Sequence, residues 1–131
     1  FFIQILVTMK FKLPCETLTK QGKRPCRAPG IVMQKYFIAF LNRGEQREQP
    51  KEVADSLQTL HMAHLGKMYD LGFADISGPF GDDGDMRGIT IYNVPTKDIA
   101  DSLANSDPMV KAGRLSVIVK PWWAAKGFGL R

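Results

Sequence analysis

The sequence is poor in cysteine, and the little it has lies far from both histidines. Both cysteines of the 131 residues, Cys15 and Cys26, fall in the first quarter of the chain. No Cys-x-x-Cys pair and no Cys/His cluster of metal-ligand spacing exists, so a structural zinc site and a thioredoxin-like redox motif are set aside. The two cysteines would pair in an exported protein and stay free in a reducing compartment. The apolar opening, Phe1 to Val7, is too short to span a bilayer. It fits either a piece of a signal peptide's apolar region or a short strand. No membrane span is expected, and a cytoplasmic and an exported (periplasmic) location both stay open. A P-loop, a nucleophile elbow and a dinucleotide fingerprint are all missing.

Acidic residues are scarce at one end only. Residues 1–34 hold six Lys/Arg (Lys10, Lys12, Lys20, Lys23, Arg24, Arg27) against Glu16 alone, and the rest of the chain holds twelve of each sign. The formal net charge of +5 therefore resides in the N-terminal quarter. A basic arm of this kind attracts nucleic acid or anionic lipid. Here it lacks aromatic–basic interleaving and any groove-reading motif, so a solvated leader is expected and no nucleic-acid partner. Gly22, Pro25, Pro29 and Gly30 break regular structure within it. The chain thus reads as a basic leader over 1–32, one domain over 33–125 and a tail over 126–131. That domain is large enough to bury a core without staples.

Tyr36 to Leu41 is apolar on both faces and reads as a strand needing cover on both sides. Pro50 opens a helix, whose spacing carries Val53, Leu57, Leu60, His64, Met68 and Leu71 until Gly72 stops it. Phe73 to Ser77 is a second strand, with Ser77-Gly78-Pro79 leading into a Gly/Asp loop, and Arg87 to Val94 is a third. Thr96 caps a further helix, Asp107-Pro108 starts a short helical turn, and Leu115 to Val119 is the fourth strand. The order β-α-β-β-α-β predicts an α+β, ferredoxin-like antiparallel sheet with helices on one face. The other face stays apolar with no helix left to cover it, so a homodimer through that open sheet face is expected.

Several short motifs stand in order along this domain: His61-Met62-Ala63-His64-Leu65, Ser77-Gly78-Pro79-Phe80-Gly81-Asp82-Asp83-Gly84, Arg87-Gly88, Asp107-Pro108, Val110-Lys111-Ala112-Gly113-Arg114 and Pro121-Trp122. Together they resemble the YCII-related (YciI-like) family over about residues 33–125. The resemblance implies a dimeric α+β barrel of ferredoxin-like halves and no cofactor. It also implies a histidine–aspartate pair, which the intervals place on His61 rather than His64 and on Asp107. One branch of the family includes a dehydrochlorinase of a chlorinated hydroxyhydroquinone.

Histidine suits general acid–base work because its unperturbed pKa lies near neutrality, and a carboxylate on one ring nitrogen fixes the tautomer. His61 and Asp107 are therefore the candidate catalytic residues. Asp107 before proline is equally a helix N-cap, and one carboxylate has oxygens for both tasks. Candidate substrate-binding residues are Ser77, Gly78 and Pro79 for close backbone approach, Arg87 to clamp an anionic oxygen, and Trp122 as a wall. The plainer readings are a turn, an ion pair with a nearby aspartate, and core closure. The Gly81–Asp85 cluster lacks the twelve-residue ligand pattern of a calcium loop, and His61 with His64 lacks further ligands, so no metal is expected. Two functions remain. One is a small cofactor-independent enzyme in which His61 acts as base on a small-molecule ring substrate. The other is a dimeric ligand-binding or interaction module with a structural histidine. The first requires His61 and Asp107 within hydrogen-bond reach in a pocket opening to solvent, and fails if the imidazole is sealed in packed core with no adjoining cavity.

Overall fold

The computed structural model describes residues 30–131. The basic leader, with Cys15 and Cys26 and the question of their pairing, lies outside the described residues except for its last three positions. The chain divides into two compact units: residues 35–124, and residues 125–131 grouped with those before 35. In the second unit the Lys126 N–H donates to the Val32 carbonyl at 2.8 Å.

The elements run β1 (Met33–Arg43), α1 (Lys51–Asp70), β2 (Ala74–Pro79), β3 (Met86–Tyr92), α2 (Lys97–Asn105), α3 (Pro108–Lys111) and β4 (Leu115–Ala125). The four strands form one antiparallel sheet in the order β2-β3-β1-β4. This is the ferredoxin-like arrangement that the element order predicts. Residues facing one another across an antiparallel pair share a face. Phe37 opposite Tyr92 and Ala39 opposite Thr90 therefore point the same way, with Ser77 opposite Thr90 from the other side. Phe37, Ala39 and Tyr92 pack with Met68 of α1 and with Ala100 and Ala104 of α2. That face carries the helices. Tyr36, Ile38 and Phe40 alternate onto the other face.

The structure shifts several expected boundaries: β1 runs Met33–Arg43 and β4 runs Leu115–Ala125, both longer than the apolar runs Tyr36–Leu41 and Leu115–Val119. Ser77 lies in the strand as expected, and Gly78-Pro79 is strand too, not the start of a loop, because β2 continues its ladder with β3 through Pro79 opposite Gly88. On α1 His61 and Met68 are buried and Ala54, Leu57, His64 and Leu65 are half-buried beside them, whereas Val53, Leu60 and Leu71 stand exposed. Apolar spacing alone made the stripe too wide. Leu60 lies about 100° around the helix from His61, and α1 turns the His61 side toward β2 and α3.

Both helix ends that bracket the site are closed in the same way. After α1, Gly72 at φ +77° lets its own N–H reach Tyr69 and the Phe73 N–H reach Met68. After α3, Gly113 at φ +73° does the same with Val110, and the Arg114 N–H reaches Met109. Both are Schellman closures, which favour glycine at the left-handed position. The α3 closure packs tightly on the loop after β1. A Cβ on Gly44 would lie 2.1 Å from the Gly113 carbonyl oxygen and 2.7 Å from the Arg114 carbonyl carbon. Backbone on both sides cannot yield cheaply, so Gly44→Ala should destabilise by about 1–3 kcal/mol. Urea unfolding measures this, and an unchanged midpoint would contradict the close approach.

Candidate active site

His61 sits in the middle of α1 and is 8 % exposed, while Asp107, at the entry to α3, is 2 % exposed. Buried polar groups need partners, and these two supply each other. His61 Nδ1 lies 2.5 Å from Asp107 Oδ2. A carboxylate oxygen can only accept, so the ring nitrogen facing it is the donor. The other carboxylate oxygen, Oδ1, accepts from the Met109 N–H at 2.9 Å. Asp107 is thus the N-cap of α3, with Pro108 following it at a position where a missing N–H costs nothing. The local sequence Asp-Pro therefore fixes the carboxylate, and the carboxylate fixes the imidazole. The His61 side chain keeps 10 % exposure against 3 % for Asp107.

Two further side chains share this field. His64, one turn along α1, is half-buried, and its Nε2 is buried without a hydrogen-bond partner. Burial pushes its pKa below the ordinary 6.5; the Asp107 charge opposes that shift and His61 adds to it. Tyr92, on β3, is 2 % exposed. Its phenol is pushed up to about 12, first by burial and then by the negative charge of Asp107. Burial, reinforced by the Asp107 charge, thus holds the phenol neutral well beyond physiological pH. Tyr92 was not singled out in the sequence. The only signal was the alternation of Arg87–Val94, which puts Tyr92 on the face of Thr90 and Gly88.

The remaining candidates are distributed differently. Ser77 Oγ donates to Thr90 Oγ1 at 3.1 Å, on the helix-bearing face. Gly78, opposite Ile89, belongs to the alternate face, and Pro79 ends β2. Arg87 Nη1 donates to Asp83 Oδ1 at 3.0 Å and to the Gly84 carbonyl at 3.1 Å, the plainer ion pair of the two readings. Trp122 packs on Tyr36 with ring centroids 6.3 Å apart. It therefore stands with Tyr36 on the face opposite the helices. Within one chain, then, His61, Asp107 and Ser77 share a side of the sheet, and Trp122 does not. Among the described residues no group of three or more Cys, His, Asp or Glu side chains is arranged to hold a metal ion. No helix of the described residues is long and apolar enough to cross a membrane.

The lowered pKa of His64 has a consequence for stability. The fold binds the neutral imidazole better than the charged one, so unfolded chains take up a proton first as pH falls. Stability from this residue is complete above pH 6.5 and is lost as the pH drops below that toward the lowered folded value. His64→Leu should flatten the stability profile between pH 7 and about 5. Chemical denaturation across that range checks it, and an identical slope in the variant would contradict the assignment.

Among known proteins, the family model of the YCII-related domain matches residues 36–123. No curated protein matches the sequence. A solved structure of similar shape is 5-chloro-2-hydroxyhydroquinone dehydrochlorinase from Burkholderia phenoliruptrix, in complex with 2,5-dihydroxybenzoquinone. It is 25 % identical, with a TM-score of 0.49, over 66 % of this chain and 92 % of that one. The matched residues span β1 through Trp123 and include both members of the buried pair; the chain belongs to the YCII-related domain family.

Proposed function

We propose that the protein is a small enzyme performing general acid–base chemistry with His61, oriented by Asp107, on a small hydroxylated ring. The observation that carries the reading is the two-sided grip on Asp107. With Oδ1 on the Met109 N–H and Oδ2 on His61 Nδ1, the ring is held in one tautomer. Nε2 is then the nitrogen left to accept a proton. A base held in this way need not reorganise during the reaction.

In the proposed step, Nε2 removes a proton from a ring hydroxyl of the substrate. The ring carbon bearing the leaving group takes that proton from His61 as the oxygen becomes a carbonyl, and Nε2 then removes the proton of a second hydroxyl, whose electron pair expels the anionic leaving group from that carbon as a second carbonyl forms. The proton stays on His61 until solvent takes it, while Asp107 stabilises the imidazolium. No external oxidant or cofactor enters this balance. The ring substrate class is taken by analogy from the family branch that includes a dehydrochlorinase, and Ser77, Gly78, Pro79, Arg87 and Trp122 remain our candidates for binding it. The open sheet face, where Ile118 and Trp122 are 54 % and 41 % exposed, we assign to a two-fold homodimer, which would set one chain's Trp122 against the other chain's sheet.

Halogenated trihydroxybenzenes test the chemistry through chloride release. His61→Gln should lower kcat by about 10²–10⁴-fold, and Asp107→Asn should lower it while leaving KM nearly unchanged. Retained turnover in folded His61→Gln would overturn the reading. Saturable binding by wild type without turnover would favour a binding module instead. Sedimentation tests the assembly: wild type should run as a dimer and Ile118→Glu as a monomer, whereas a monomeric wild type would contradict the two-fold face.

A further inference from the structure

Among the described residues three polar or charged side chains are buried: His61, Thr90 and Asp107. Two of them hold each other. Thr90, 1 % exposed, is tied to them by its place in the fold. The helix-bearing side of the sheet carries two apolar clusters. Met68 of α1 belongs to the one that holds Phe37 and Tyr92. Leu57 of α1 packs on the other, formed by Leu41, Met109 and Leu115. His61 follows Leu57 by one turn and precedes Met68 by two, on the side of the helix that both use. Thr90 has the same position on β3. Its neighbours on that face are Tyr92, in the first cluster, and Gly88, which lies opposite Leu41 of the second. Both residues therefore stand where one cluster stops and the other begins.

A buried hydroxyl needs a partner, and Thr90 has Ser77, at 3.1 Å between Oγ1 and Oγ. Strict alternation along β2 would not supply it. Ala74 packs in the first cluster, on the helix-bearing face. Ile76 and Gly78 would then share that face, and Ser77 would point away. Instead the ladder shifts between Ala74 and Ile76, and Ser77 comes opposite Thr90. Bulges re-aim side chains in this way, often beside active sites. Ser77 is exposed and lies on the edge strand of the sheet, so the hydroxyl pair runs from the buried junction to the open side. The backbone beside Thr90 stays bare, because a Cβ on Gly88 would lie 2.7 Å from the Gly78 carbonyl oxygen. Valine has nearly the shape of threonine and would fill the junction without burying a hydroxyl.

We propose that Ser77, held in place by Thr90, anchors a second hydroxyl of the ring whose first hydroxyl faces His61; the identity of that ring rests on the acid–base reading. In either sense of the bond to Thr90, Ser77 Oγ keeps a lone pair, so it accepts from an incoming O–H. A methyl ether at the same ring position has no proton to give. The substrate class is thereby a ring with at least two free hydroxyls. Thr90 is a positioning residue that sets this preference through Ser77.

Trihydroxybenzene without a leaving group cannot undergo the elimination, so its binding reads the anchor apart from the chemistry. Anaerobic calorimetry should give saturable binding to wild type, and the monomethyl ether at the anchored position should bind about three- to tenfold more weakly. Ser77→Ala should weaken the free ring by a similar factor and bind ring and ether alike. Thr90→Val should do the same, and Thr90→Ser should restore the preference. A pair that is structural alone would lower Tm in these variants and leave the ratio of ring to ether affinity unchanged. Exposed Ser77 keeps the test valid if Thr90→Val fails to fold. Unchanged ring affinity in Ser77→Ala, or no saturable ring binding by wild type, would overturn the anchor. Ring binding that depends on Ser77, with no chloride release from the halogenated ring, would support the anchor and overturn the acid–base reading alone.

Discussion

The Asp107 carboxylate is the constraint on which the site depends. One oxygen closes the N-terminus of α3 and the other holds His61. The helix end supplies a donor N–H that would otherwise be unmet, and its dipole favours the negative charge there. The charge is then available, at no further cost in mobility, to orient an imidazole on a different helix. A cap and an orienting carboxylate are usually separate groups. Here they are one, so the geometry of α3 and that of the histidine cannot vary independently.

Everything around the pair follows from where the sheet puts it. The alternation of β1 and β3 builds a helix-bearing face from Phe37, Ala39, Thr90 and Tyr92. Against it, α1 turns His61 and Met68 inward, and α3 brings Asp107 up to His61. Burial then acts on each titratable neighbour according to its charge type. It keeps His64 neutral by lowering its pKa and Tyr92 neutral by raising its own. The buried field is left with one carboxylate and the imidazole that it holds.

Much of this was legible in the residues. Proline at the start of α1, glycine after α1 and α3, threonine before α2 and Asp-Pro before α3 are local signals, and each terminus lies where those signals put it. The dual use of Asp107 could be anticipated because a carboxylate has two oxygens and the Asp-Pro step already demands a cap. What stayed hidden depended on packing. The apolar residues of α1 wrap further round the helix than the face it buries, so spacing could not exclude Leu60. Gly78 and Pro79 look like a turn by composition, yet pairing with β3 keeps them extended. Which side of β4 Trp122 occupies shows only in its packing on Tyr36, because the strand continues past Pro121, where composition ends it.

The account rests on His61 carrying its proton on Nδ1, against Asp107, with Nε2 left to react. Long-range proton–nitrogen correlation spectra of uniformly ¹⁵N-labelled protein read this directly. In the neutral ring, the His61 Nδ1 resonance should have the shift of a protonated nitrogen and Nε2 that of a bare one. Asp107→Ala should let the two forms mix. A neutral His61 protonated at Nε2, with Nδ1 bare, would contradict the central claim.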